Sequence, residues 1–116
     1  MRKLDPEEII LKMLYAEAIR HGAFYHVTAK SLGIERGEFG KALWVLQMRG
    51  LIEGCQFSQE GVMEDRDGLL LTAKGFEKIE STLGSTNNYE CLERLREYFN
   101  DNGEHELADR IAEWLD

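Results

Sequence analysis

A predicted helix that leads directly into a predicted strand is the feature that most constrains the fold of this chain. Within residues 36–49, apolar residues recur at intervals of three and four and define one helix face, namely Phe39, Ala42, Leu43 and Leu46. Gly50 follows at the position where helices commonly end on glycine. Residues 51–57 then alternate roughly between apolar and polar, which is typical of a strand with one buried face. Helix and strand are therefore predicted to share one apolar core.

A helix is also predicted near the start of the sequence. Asp5 offers a capping carboxylate, and Pro6 stands at the first helical position, where its missing N–H costs nothing. Apolar residues at intervals of three and four continue to about Arg20, and Gly22 can end the helix. The inner face of this helix is expected to lie on the core.

The connection to helix 36–49 has the pattern of a helix, a turn and a helix. The aromatic and β-branched segment Phe24–Val27 predicts a short extended stretch. Thr28 can cap a brief helix through its hydroxyl, and Gly33 allows a tight turn after it. Residues 28–49 are therefore predicted to form two crossed helices.

The segment after the strand predicts a β-hairpin and a further helix. Residues 58–68 are polar and flanked by glycine, and Leu69–Leu71 is short enough to be the returning strand. Thr72 can cap the next helix, which extends to Leu83.

The last third of the chain predicts an antiparallel pair of helices. Residues 84–88 form a linker-like break, and 101–103 form a turn between two amphipathic segments. The first segment is lined by Cys91, Leu92, Leu95, Tyr98 and Phe99, and the second by Leu107, Ala108, Ile111, Trp114 and Leu115. We therefore divide the chain into residues 1–83 and an acidic helical hairpin, 84–116, packed on them or at a dimer interface.

Taken together, the elements predict a mainly α-helical fold with a small β-hairpin, in the order of a winged helix-turn-helix domain. The stretch from Phe39 to Ile52, followed about twenty residues later by Leu71-Thr72-Ala73-Lys74-Gly75, resembles the YjcQ family, small winged-helix proteins of Gram-positive bacteria and their phages. The resemblance covers roughly residues 4–83. It implies the winged-helix fold and carries no established activity.

Composition and spacing argue against several classes of function. Cys55 and Cys91 form no CxxC pair, the three histidines lack metal-site spacing, and no phosphate-binding glycine loop occurs. We therefore predict no catalytic site, no metal and no cofactor. The apolar stretches are too short for a transmembrane helix and the first residues lack a signal-peptide pattern, so we expect a cytoplasmic protein without membrane contact.

The winged-helix pattern favours a DNA-binding transcriptional regulator that acts as a dimer, and the resemblance to the YjcQ family implies a bacterial or prophage origin. Helix 36–49 would enter the major groove of duplex DNA, with loop 58–68 as the wing. The candidate DNA-binding residues are Lys30, Arg36, Lys41, Gln47, Arg49 and Arg66. The net charge of −8 opposes this function, because 84–116 hold 3 basic against 9 acidic residues and the loop is acidic as well.

The alternative is a protein-interaction module that does not bind DNA. Trp44, Val45 and Met48 project away from the core stripe of helix 36–49, although Trp44 could instead cover the sheet or the C-terminal hairpin. Tyr98 and Trp114 widen the apolar face of the hairpin, which would serve a homodimer or pack on the first helix. The acidic surplus of the hairpin either imitates nucleic acid or forms a solvated face.

Overall fold

In the computed structural model, which describes residues 3–22, 27–65 and 68–115, most of the chain is helical. The helices are α1 (Pro6–His21), α2 (Ala29–Leu32), α3 (Arg36–Met48), α4 (Ala73–Leu83), α5 (Asn88–Asp101) and α6 (His105–Leu115). The strands are β1 (Ile52–Glu53), β2 (Gln56–Phe57), β3 (Met63–Asp65) and β4 (Leu70–Leu71). The predicted mainly helical architecture with a small antiparallel β-structure is thus confirmed. Within the predicted segment Phe24–Val27, residues 24–26 lie outside the described residues, as does Arg66.

Side-chain caps fix two of the predicted helix starts. The Thr28 hydroxyl accepts a hydrogen bond from the Ser31 backbone N–H at 3.0 Å, and the Ser31 hydroxyl accepts one from the Thr28 N–H at 3.1 Å. The Thr72 hydroxyl accepts from the Gly75 N–H at 3.0 Å at the start of α4. Asp5 precedes α1 as expected, but its carboxylate makes no capping bond, so that detail of the prediction was wrong.

The β-hairpin, from β1 to β4, is longer and less regular than its sequence indicates. Strand β1 pairs antiparallel with β4, and β2 pairs antiparallel with β3. The expected single strand 51–57 is therefore broken in two, and the expected loop 58–68 contains β3. Gly54 permits the break, since it has a φ of 92° and a Cβ there would lie 1.8 Å from the Gly68 carbonyl oxygen.

Helix α1 is the centre of the core. It packs against α3 and β4 as well as against α4 and α5, and every residue from Ile9 to Glu17 is buried. The Tyr15 hydroxyl donates to a Glu80 carboxylate oxygen at 3.0 Å and lies 3.4 Å from the Cys91 sulfur. One side chain of α1 thus contacts both α4 and α5.

The helical hairpin α5–α6 belongs to this same core. Leu95, Phe99 and Ile111 are fully buried in one apolar cluster with α1 and α3. The Arg94 guanidinium donates to the Leu83 carbonyl at the end of α4, and the Arg110 guanidinium donates to the Ser31 carbonyl of α2 at 2.9 Å. The apolar stripes of α5 and α6 pack on each other, and α5 also packs on α1, which was one of the two alternatives; a role of the hairpin in a dimer stays a prediction.

Candidate interaction surface

A groove of about 1040 Å³ lies between α3 and the outer half of the β-hairpin. Its helical wall is formed by Glu35, Arg36, Gly37, Gly40, Lys41 and Trp44. Its hairpin wall is formed by Ser58, Gln59, Glu60, Gly61, Val62, Met63, Glu64 and Asp65. We call it the α3–hairpin groove, and its volume lies at the upper end of the range usual for ligand pockets.

The base of the β-hairpin is tied to α3 by one side chain. The Gln47 amide oxygen accepts from the Cys55 backbone N–H at 2.9 Å, and the Gln47 amide nitrogen donates to the Cys55 carbonyl at 3.1 Å. Both polar ends of the amide are therefore engaged in holding the hairpin. This arrangement opposes the base-reading role expected of Gln47.

The tip of the β-hairpin is closed by local hydrogen bonds. The Ser58 N–H donates to the Val62 carbonyl at 2.8 Å, and the Ser58 hydroxyl accepts from the Val62 N–H at 3.1 Å. Gly61 has a φ of 80°, which glycine adopts without the strain of a side chain. The tight turn holds Val62 out toward solvent, where the residue is 63% exposed.

The groove exposes apolar side chains on both walls. Trp44 is 41% exposed on the outer face of α3. Gly40 precedes it by one helical turn and is buried, and a Cβ there would lie 3.6 Å from the Met63 Cβ of the hairpin wall. Trp44 and Val62 thus offer apolar contacts on opposite walls, a combination suited to a protruding side chain of another molecule.

The charge of the groove is predominantly negative. Four carboxylates, from Glu35, Glu60, Glu64 and Asp65, line it together with two cations, from Arg36 and Lys41. The N–H groups of Gly37 and Glu38 hold the pKa of the Glu35 carboxyl below its usual range, so Glu35 stays ionised. The described lining of the groove therefore carries an excess of negative charge.

A second, smaller cleft of about 600 Å³ has the opposite charge. This basic cleft is lined by Met48, Arg49, Leu51, Lys74, Glu77 and Lys78. The Lys74 ammonium donates to the Arg49 carbonyl at 3.0 Å, which holds the start of α4 beside the end of α3. Gly75 permits this approach, since a Cβ there would lie 2.3 Å from the Leu51 carbonyl oxygen.

The structure distributes the candidate DNA-binding cations over separate places. Arg36 and Lys41 lie among the carboxylates of the α3–hairpin groove, whereas Arg49 lines the basic cleft. Lys30 is exposed on α2. These four cations do not form one continuous basic surface clear of the acidic hairpin.

The candidate partner-binding residues divide into exposed and internal ones. Trp44 and the 70% exposed Met48 lie on the outer side of α3 as expected, and Val45 is half-buried. Tyr98 instead donates its hydroxyl hydrogen to Glu8 at 3.2 Å, and Trp114 packs edge-on against His21 with ring centroids 5.3 Å apart. The two hairpin aromatics are thus engaged within the chain.

Sequence reasoning missed the hairpin wall of the groove. The pair Val62 and Met63, apolar within a polar segment, was the available signal for an extra strand.

Within the described ranges, no three His, Cys, Asp or Glu side chains lie close enough to hold a metal ion. No helix in those ranges is long and apolar enough to cross a bilayer.

Comparisons of the chain with protein-family models, with curated proteins and with solved structures found no significant match. The resemblance to the YjcQ family therefore stays a prediction. The features of the chain that bear on function are therefore the α3–hairpin groove and the basic cleft.

Proposed function

We propose that this chain is a winged helix-turn-helix domain that binds another protein through the α3–hairpin groove. The element order supports the fold, with α2 and α3 as the crossed pair, the β-hairpin as the wing and α4 after it. Fold alone assigns no partner, so the partner is inferred from the groove.

The observation that carries the proposal is the pairing of exposed apolar side chains with surplus carboxylates. Trp44 and Val62 face solvent on the two walls, and four carboxylates oppose two cations around them. The complementary ligand is a polypeptide segment that carries lysine or arginine beside a leucine or aromatic side chain. The apolar side chain would bury against Trp44 while the cations meet Glu60 and Glu64.

Binding to duplex DNA is the second candidate, favoured by the exposure of Arg36 and Lys41 on the outer face of α3. If both cations contacted phosphate, the logarithm of the binding constant would fall with the logarithm of the salt concentration with a slope of only about −1.8, since each contact contributes about −0.9. The carboxylates of the groove would also repel the phosphate backbone. Regulation of transcription by direct DNA binding is therefore the weaker of the two proposals.

Tryptophan fluorescence can test the first proposal. In a Trp114→Phe background Trp44 is the sole tryptophan, so its emission reports on the groove. Short peptides that alternate lysine with leucine should shift the emission to shorter wavelength, and Glu60→Lys with Glu64→Lys should weaken their binding at least tenfold. Glu106→Lys with Asp109→Lys, which makes the same change in net charge at exposed positions on α6, is the matched control and should leave binding unchanged.

Random duplex DNA at low salt is the competing probe. Duplex that binds while the peptides do not, with tighter binding in the Glu60→Lys, Glu64→Lys variant, would replace the first proposal by the second. Binding of the peptides to Trp44→Ala is followed by isothermal titration calorimetry, since that variant lacks the reporting side chain; binding that survives Trp44→Ala and the charge reversal unchanged would remove the groove from the proposal.

A further inference from the structure

The turn between α5 and α6 contains the only Asn-Gly pair of the sequence, Asn102-Gly103. The backbone nitrogen that follows an asparagine can attack the carbon of the side-chain amide, and glycine has no side chain to hinder the attack. The other asparagines, Asn87, Asn88 and Asn100, precede residues with larger side chains. The pair at the turn therefore has the composition of a site of spontaneous deamidation.

The folded turn holds both reacting groups in hydrogen bonds. The Asn102 Nδ2 donates to the Tyr98 carbonyl at 2.8 Å, and the Gly103 N–H donates to the Asn100 carbonyl at 3.2 Å. An N–H that is donated to a carbonyl loses its proton less readily, and an amide held on a second carbonyl is not free to rotate. Cyclisation therefore requires that these bonds open first.

We propose that Asn102 is a deamidation site whose rate is controlled by the opening of the α5–α6 turn. The Gly103 nitrogen gives its proton to water and bonds to the Asn102 Cγ. The bond between Cγ and Nδ2 breaks, and Nδ2 takes up a proton and leaves as ammonia. Water then adds to one of the two carbonyl carbons of the five-membered imide and opens it to aspartate or isoaspartate. Water is the single co-reactant, and nothing is oxidised or reduced.

The product removes a hydrogen-bond donor from the end of α5. The last carbonyls of a helix have no partner within it, and the Asn102 amide supplies one to Tyr98. A carboxylate accepts but does not donate, and here it would stand beside Asp101 at the negative end of the helix dipole. Isoaspartate also lengthens the backbone of the turn by one methylene group. Deamidation should therefore loosen the helical hairpin irreversibly, whatever the α3–hairpin groove binds.

Peptide mapping by mass spectrometry tests the site in the full chain at mildly alkaline pH. In urea that unfolds the chain, product should accumulate at Asn102 faster than at the other three asparagines. In buffer, the reaction at Asn102 should be at least about tenfold slower than in urea, because the turn is mostly closed. Asn102→Gln should give no product at this position on the same timescale, since glutamine must form a six-membered ring.

Two results overturn the proposal. Equal rates at Asn102 in buffer and in urea would show that the folded turn does not control the reaction. An unfolded chain that reacts no faster at Asn102 than at the other asparagines would show that the pair is not a preferred site.

A matched pair of variants tests the consequence of the reaction. Asn102→Asp imitates one product at the negative end of α5, and Asn88→Asp makes the same change at the exposed first residue of the helix, the positive end. Asn102→Asp should lower the urea midpoint, whereas Asn88→Asp should leave it unchanged or raise it. Circular dichroism confirms that both variants fold. Equal midpoints would overturn the inference that deamidation loosens the hairpin.

Discussion

The chain contains two hairpins, one helical and one of β-strands, and they attach to the molecule in opposite ways. The helical hairpin inserts Leu95, Phe99 and Ile111 into the core around α1. The outer half of the β-hairpin buries little, and its base is held to α3 by the two hydrogen bonds of Gln47. The helical hairpin therefore contributes to global stability, whereas the β-hairpin is available for recognition.

This difference determines which side chains each hairpin can offer to a partner. A segment whose apolar face is already buried offers a partner mainly charge, as the exposed carboxylates of α5 and α6 do. The outer half of the β-hairpin packs on the core through Phe57 and Met63, and it presents apolar side chains and carboxylates together, as Val62 and Glu64 do in the α3–hairpin groove.

The largest effect should come from a cavity in the helical hairpin. Leu95 is fully buried in α5, so Leu95→Ala should lower the free energy of unfolding by about 3 to 4 kcal/mol. Val62→Ala, in the exposed tip of the β-hairpin, should change it by less than about 0.5 kcal/mol. Urea denaturation of both variants measures the contrast, and equal losses would contradict the distinction between the hairpins.

A smaller loss of stability should follow from adding a side chain at Gly54, where the two arms of the β-hairpin approach each other closely. Gly54→Ala should cost about 2 to 3 kcal/mol, because a positive φ and a clash with the Gly68 carbonyl combine there. Gly61→Ala shares the positive φ but has open space around the new methyl group, so it should cost about 1 kcal/mol. Similar midpoints of unfolding for the two variants would show that the close approach is unimportant.

Removing the link between α3 and the β-hairpin should have a still smaller effect on stability. Gln47→Ala deletes two hydrogen bonds to Cys55 and should cost about 1 to 2 kcal/mol. Amide hydrogen exchange in β2 and β3 should accelerate more than exchange in α5. Gln59→Ala, exposed at the tip, is the control; uniform acceleration throughout the chain would contradict a local role for Gln47.

The smallest effect should be a pH dependence at the contact between α5 and α1. Burial and the Glu8 carboxylate raise the pKa of Tyr98 from 10.0 to about 12. The Tyr98 phenol therefore loses its proton at lower pH in the unfolded chain than in the folded chain. The stabilisation that Tyr98 contributes to the fold is complete below pH 10 and is lost as the pH rises through 12. Wild-type stability should fall relative to Tyr98→Phe in this window.

The comparison of the wild type with Tyr98→Phe removes the contributions of the other titratable groups of this region to the pH dependence, because both proteins contain them. Tyr15, whose pKa is raised by burial and by its bonds to Cys91 and Glu80, is present in both proteins. So is Lys12, whose pKa is lowered by burial and whose ammonium lies 4.5 Å above the Tyr98 ring. Parallel pH profiles of urea midpoints would place the Tyr98 hydroxyl in a solvent-like environment and contradict the contact.

Local sequence signals predicted the helices well. Thr28 and Thr72 cap helices in the expected way, and the stripe of Phe39, Leu43 and Leu46 is buried. These features depend on residues a few positions apart, so short-range spacing was sufficient. The β-hairpin was predicted less well, because its break lies where Gly54 approaches Gly68, fourteen residues away in the sequence.

The sequence by itself determined the helix boundaries, the apolar stripes and the acidic surplus of the last third. Only the tertiary structure decided which polar groups were used internally, because Gln47 and Tyr98 meet partners that are distant in sequence. It likewise brought the carboxylates of the β-hairpin beside Trp44 and separated them from the basic cleft. Charge counts along a chain are additive, but the field at a surface depends on which charges folding places side by side.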